Sequence, residues 1–182
     1  ENPDIGLSVG RIMYIKGLNL QLYTCSLCKS FRDYLNLIPS TLKMRGDIGE
    51  MTAHREGNLV ELRWEPLLQN SGLKRYCSDE VLSASAAIIN SLCILPVPVV
   101  KANFTYPQPQ DTSQLEAIFG RSISYNQPYS SLFFDSVALD YQILKQDYQH
   151  GPDLNKPFSE LFEDDQIGDE FLANLKSYMM HR

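Results

Sequence analysis

The sequence predicts an α+β domain: a helical N-terminal segment, a largely antiparallel sheet with helices packed on it, and further helices toward the C-terminus. Three observations carry this reading. Apolar residues recur at helical spacing over 27–38, and the period drops to two over 59–64. After the helical lead the elements read strand, strand, helix, strand, helix, strand, strand. With 182 residues, 43% of them hydrophobic, the chain is long enough to bury a core and too apolar for disorder throughout.

The first forty residues read as helical, with Leu18, Leu20, Leu22 and Tyr23 in a run with few breakers. Ser26 stands where it can cap a second helix, whose apolar residues Leu27, Phe31, Tyr34, Leu35 and Ile38 share one face. Pro39 is expected to end it, because the residue before a proline is pushed out of the helical region. Residues 49–55 and 59–64 flank Glu56-Gly57-Asn58 and read as a β-hairpin. On its second strand Val60, Leu62 and Trp64 face one way and Leu59, Glu61 and Arg63 the other, so one face is buried. Pro66 stops that strand.

Ser78-Asp79-Glu80 reads as the cap and acidic first turn of a helix running to about Cys93. Residues 99–105 read as a strand between prolines. Asp111 or Thr112 opens a short helix that closes at Phe119-Gly120, glycine being suited to the residue past a helix end. Residues 123–125 and 131–134 read as a last strand pair joined through Asn126-Gln127-Pro128-Tyr129. Beyond Gly151-Pro152-Asp153 two more helical pieces follow, at 158–162 and 168–180.

The net charge of −6 is uneven. Residues 1–145 hold 14 acids and 13 bases, and residues 146–182 hold 8 and 3. The division predicts a near-neutral body and an acidic, solvated tail. It leaves no broad basic footprint for nucleic acid. No apolar run is long enough to cross a membrane as a helix. Cys25, Cys28, Cys77 and Cys93 are too sparse for a disulfide scaffold, which points to a reducing cytoplasm. The chain opens on Glu1 and not on Met, the mark expected of a fragment or processed product.

No nucleophile elbow, phosphate-binding glycine loop or H-E-x-x-H motif occurs, so no catalytic residue, metal or cofactor is expected. Cys25 and Cys28 have the spacing of a redox pair or of half a zinc site. They lack a second ligand pair and a preceding strand, so buried thiols are the first reading and thiol-redox chemistry the alternative. Trp64, Phe104, Tyr106, Tyr125, Phe133 and Phe134 fall in predicted strands or at their ends. Aromatics so placed can line an apolar pocket for a small molecule. Arg45, Arg63 and Lys101 could neutralise a ligand carboxylate there.

Four stretches carry a family resemblance. They are Asn2-Pro3-Asp4 with Gly6, Leu7 and Gly10; the helical stretch 17–37; Ala102 to Pro109; and Ile118-Phe119-Gly120 with Ile123, Tyr125, Pro128, Leu132, Phe134, Leu139 and Asp140. Their order and spacing resemble the N-terminal effector domain of AraC-type transcriptional regulators, over about residues 2–145. Tyr106 stands where that family commonly has His, and Ala102 where it has a β-branched residue. The resemblance implies a cytoplasmic, ligand-sensing and dimerising regulatory domain at 1–145. Residues 146–182 would then form a linker toward a DNA-binding domain that this sequence does not contain. It implies an unidentified small-molecule effector, a homodimer, and contact with DNA only through that other domain. Trp64, Phe104, Tyr106, Tyr125 and Arg63 are the expected ligand contacts. A pure interaction module, joined through the C-terminal apolar stripe, is the third reading.

Overall fold

A computed structural model describes residues 4–16, 27–43, 48–68 and 71–144. The run 18–23, the cap expected at Ser26, Arg45 and the whole tail with its two predicted helices lie outside the described residues. Helices α1 (Ile5–Lys16), α2 (Phe31–Lys43), α3 (Ser71–Leu92) and α4 (Ser113–Phe119) accompany a five-stranded sheet. Its strands are β1 (Gly49–Glu56), β2 (Leu59–Pro66), β3 (Lys101–Asn103), β4 (Ile123–Ser124) and β5 (Ser130–Asp135), in the order β1-β2-β5-β3-β4. All neighbouring strands are antiparallel except β3 and β4. The expected α+β architecture is present.

The hairpin forms as its turn chemistry requires. Glu56 pairs with Leu59, leaving Gly57 and Asn58 to turn. Gly57 adopts φ +59°, a conformation open to glycine without steric cost. Val60, Leu62 and Trp64 are all buried, as are Leu132 and Phe134 of β5 and Ala102 of β3. Phe31, Tyr34, Leu35 and Ile38 of α2 and Leu82 and Ile89 of α3 complete this core. Each large side chain so buried contributes about 1.5–3 kcal/mol. The helix at Ser113–Phe119 also ends as expected: Gly120 takes φ +81° and donates its N–H to the Glu116 carbonyl at 3.0 Å.

Five expectations need correction. Leu27 is exposed, and α2 starts after Ser30. There Asp33 Oδ2 accepts the N–H groups of Lys29 (3.0 Å) and Ser30 (3.1 Å), while Ser30 Oγ accepts that of Asp33 (3.4 Å), a reciprocal cap. Second, Pro39 does not end α2. It sits on the exposed side, and the helix continues to Lys43 because Leu42 extends the buried stripe. Burying a leucine offsets most of the roughly 3 kcal/mol cost of an internal proline. The Thr41 hydroxyl donates to the Ile38 carbonyl at 2.9 Å in the same turn.

Third, α3 begins at Ser71, so Ser78 is an interior residue whose hydroxyl donates to the Lys74 carbonyl at 2.8 Å. Fourth, the strand expected at 99–105 is regular only over Lys101–Asn103, although Val100 and Phe104 still donate to Phe133 and Ser124. Fifth, β4 and β5 do not pair with each other: β3 lies between them. The N–H groups of Asn126 and Gln127 donate back to the carbonyls of Tyr106 (3.1 Å) and Phe104 (3.0 Å), which ties the connection to the β3 chain.

Helix α1 lies against α3 at glycine contacts. A Cβ on Gly6 would come within 2.6 Å of the Tyr76 carbonyl oxygen, and one on Gly10 within 2.4 Å of the Glu80 carbonyl oxygen. The two glycines of the N-terminal motif, four residues apart, let the helix backbones approach.

Candidate functional site

Along α3, Asp79, Leu82, Ala86 and Ile89 form one buried stripe, and Asp79 is 0% exposed. A carboxylate in an apolar stripe requires partners. The Tyr106 hydroxyl donates to Asp79 Oδ1 at 2.5 Å. Arg75, one turn earlier, brings Nε to 3.6 Å from Asp79 Oδ2 and lays its guanidinium 4.9 Å from the centre of the Tyr106 ring. Burial pushes the Asp79 carboxyl up to about 6, against the opposing pull of Tyr106 and Arg75. Burial, reinforced by the Asp79 charge, also holds the Tyr106 hydroxyl far above its ordinary range, so it stays a donor.

The Phe104 ring organises the aromatic wall. It stacks on Tyr106 at 5.0 Å and on Tyr125 at 6.1 Å, and meets Phe119 edge-on at 5.3 Å. Arg75 Nε and Nη2, Asp79 Oδ2 and the Tyr125 hydroxyl are buried without a hydrogen-bond partner.

Phe119 also belongs to an adjoining cleft. Helices α1, α3 and α4 and the segment at Pro98 and Val99 border a half-open cleft of about 590 Å³. Its walls are largely small or apolar, with Ala86, Ala87, Ala117 and Ile118 prominent, and Ser83, Asn90, Gln114 and Arg11 supply polar groups. A smaller lobe of about 190 Å³, lined by Asp4, Leu7 and Ser8, shares Arg11, Gln114 and Ile118 with it.

Of the ligand contacts expected from sequence, the fold brings together Phe104, Tyr106 and Tyr125. Trp64 lies on the same sheet face: it pairs with Ser130, the neighbour of Ser131, which pairs with Asn103 next to Phe104. Arg63 is on the opposite face. There Nη2 donates to Glu61 at 2.7 Å, and the guanidinium lies 4.1 Å from the centre of the Tyr129 ring. Burial pushes Glu61 up, but the Arg63 hydrogen bond and the charges of Arg63 and His54, with the nearby Ser131 hydroxyl, outweigh it and hold the carboxyl below its usual value. The Lys101 ammonium sits over Phe133 at 4.8 Å. Arg75, Asp79 and Arg11 escaped the sequence reading. For Asp79 the signal was its helical phase with Leu82, Ala86 and Ile89.

Cys28 is wholly buried, and burial pushes the Cys93 thiol up to about 11 and raises that of Cys77. Cys25 lies outside the described residues. Among those residues no group of three or more His, Cys, Asp or Glu could hold a metal ion, and no helix is long and apolar enough to cross a membrane.

The family model described as the arabinose-binding N-terminal domain of AraC transcription regulators matches residues 1–143. No curated protein sequence matches the chain. Among solved structures the fold resembles the transcriptional regulator CdpR from Pseudomonas aeruginosa, with a TM-score of 0.66 and 17% identity. That match covers 79% of this chain but only 47% of CdpR.

Proposed function

Because the chain belongs to the family of AraC-regulator N-terminal domains called arabinose-binding, we propose that it senses a small molecule, dimerises, and controls a helix-turn-helix DNA-binding domain in the same regulator. The observation that carries the sensing reading is the cleft of about 590 Å³ among α1, α3 and α4, within the size range of small-molecule sites. Helix α3 contributes both the cleft wall and the Arg75–Asp79 pair. A ligand that favours one arrangement of α1, α3 and α4 shifts the population toward it, and linkage passes that bias to the attached module. The domain acts in the cytoplasm, where its DNA target lies, and performs no catalytic step. The family name does not designate the effector. Thiol-redox chemistry at Cys25 and Cys28 is the weaker reading, since Cys28 is wholly buried.

A thermal-shift screen across metabolite classes tests this, run in parallel on the chain and on Ala87→Phe, which intrudes on the cleft. Present at 100 times its Kd, an effector stabilises the folded chain by about 2.7 kcal/mol. That stabilisation should vanish in Ala87→Phe, with circular dichroism confirming that the variant is folded. Stabilisation retained in full by the variant defeats the cleft assignment, and no stabilisation by any class defeats the sensing role.

A further inference from the structure

Arg11 lines both lobes of the cleft, at their junction. Among the described residues its guanidinium enters no hydrogen bond or ion pair. The larger lobe contains no carboxylate: every side chain lining it other than Arg11 is uncharged. The smaller lobe also carries a carboxylate, Asp4, which lines it together with Arg11 but forms no ion pair with it. The Ser83 hydroxyl is already committed to the Glu80 carbonyl at 3.1 Å. The neighbouring Gly10 holds the α1 backbone against α3, so the base of the Arg11 side chain is fixed in place. The cleft thus offers one exposed, uncommitted cation at a lobe junction and, beside it, a chamber whose walls are mainly small and apolar, with Asn90 and Gln114 as further polar groups.

We propose that the effector is an organic monocarboxylate with an apolar body. Its carboxylate docks on the Arg11 guanidinium, and its apolar body occupies the lobe between α3 and α4. A planar guanidinium suits this head group because it presents two parallel N–H donors to the two carboxylate oxygens. A ligand so placed bridges α1 to α3 and α4. The inference rests on the sensing reading above and adds the chemical class of the ligand.

The test uses hexanoate, decanoate, 4-phenylbutyrate and 2-naphthoate, each beside its primary amide, with binding measured by calorimetry below any micellar concentration. At least one acid should bind the chain about 10- to 100-fold more tightly than its amide, the range of a charge-assisted hydrogen bond. Arg11→Gln should lower the acid to the level of its amide and leave the amide unchanged, while Ala87→Phe should weaken both. Equal binding of acid and amide, or an acid preference that survives Arg11→Gln, overturns the head-group assignment and leaves the sensing role standing. If no acid binds while a neutral metabolite blocked by Ala87→Phe does, the carboxylate class is wrong and the cleft is still the sensor. Acid binding indifferent to Ala87→Phe overturns the cleft itself.

Discussion

Asp79 makes the domain gain stability on acidification, and Asp79→Asn should remove that gain. The carboxyl titrates near 6 in the folded chain against 3.8 for the unconstrained side chain. A difference of about 2 units corresponds to about 3 kcal/mol. The folded-state value is raised, so the contribution is a cost. It is fully present above pH 6, where both states are ionised. It shrinks as pH falls from 6 toward 3.8, where the folded state binds a proton that the unfolded state does not, and it is gone below 3.8. Asparagine keeps the shape and leaves an amide oxygen for the Tyr106 hydroxyl. The assay is urea unfolding at pH 7.5 and 4.5, followed by the emission of Trp64, the one tryptophan in the chain. Carboxylates common to both proteins, including Glu61 and Asp33, cancel in the double difference. Between the two pH values wild type should gain about 2 kcal/mol on the variant, a midpoint shift of about 1 M urea at a typical slope. A difference constant to within about 0.5 kcal/mol would refute the buried, raised carboxylate.

Two further outcomes follow from packing. Gly10→Ala should destabilise the domain by about 1–3 kcal/mol in thermal unfolding. Adding Ser83→Ala should not restore it, because the Glu80 carbonyl that blocks the new methyl is backbone; full rescue would mean the helices are not held at backbone contact. Cys93 should resist alkylation at pH 8, where a thiol titrating near 11 is about one part in a thousand thiolate, and should react once urea exposes it. Mass-spectrometric mapping reads this, and rapid native-state labelling of Cys93 would contradict its burial.

The elements that sequence foretold best are those whose determinants are local. The hairpin follows from the two-residue period of β2 and from Gly57, and α4 from its Gly120 stop. The errors arise where tertiary contacts override a local signal. Ser78-Asp79-Glu80 has the letters of a helix start, yet α3 already runs through them, because Asp79 packs beneath α1 and meets Tyr106 from another element. Pro39 is a local stop overruled by the burial of Leu42. The β4–β5 connection has turn residues, but turn chemistry does not specify which strand lies between them. The clustering of Phe104, Tyr106 and Tyr125 was legible because aromatics at strand ends stand out in composition, but none of these residues lines the cleft. The cleft itself was not legible, since its walls come from α1, α3, α4 and the segment before β3 and exist only after packing. Arg11 gives no local sign of its place.

The position of β5 in the sheet has a consequence for synthesis. β5 joins β2 to β3, and its pairing of Val60 with Phe134 links residues more than seventy positions apart. On the ribosome the β1–β2 hairpin emerges before β5, with the apolar row Val60, Leu62 and Trp64 uncovered and both strand edges open. At ordinary elongation speeds its neighbour is completed only about 4–15 s later. For that interval the nascent hairpin is an adhesive half-sheet, and the yield of folded protein depends on what shields it until β5 arrives.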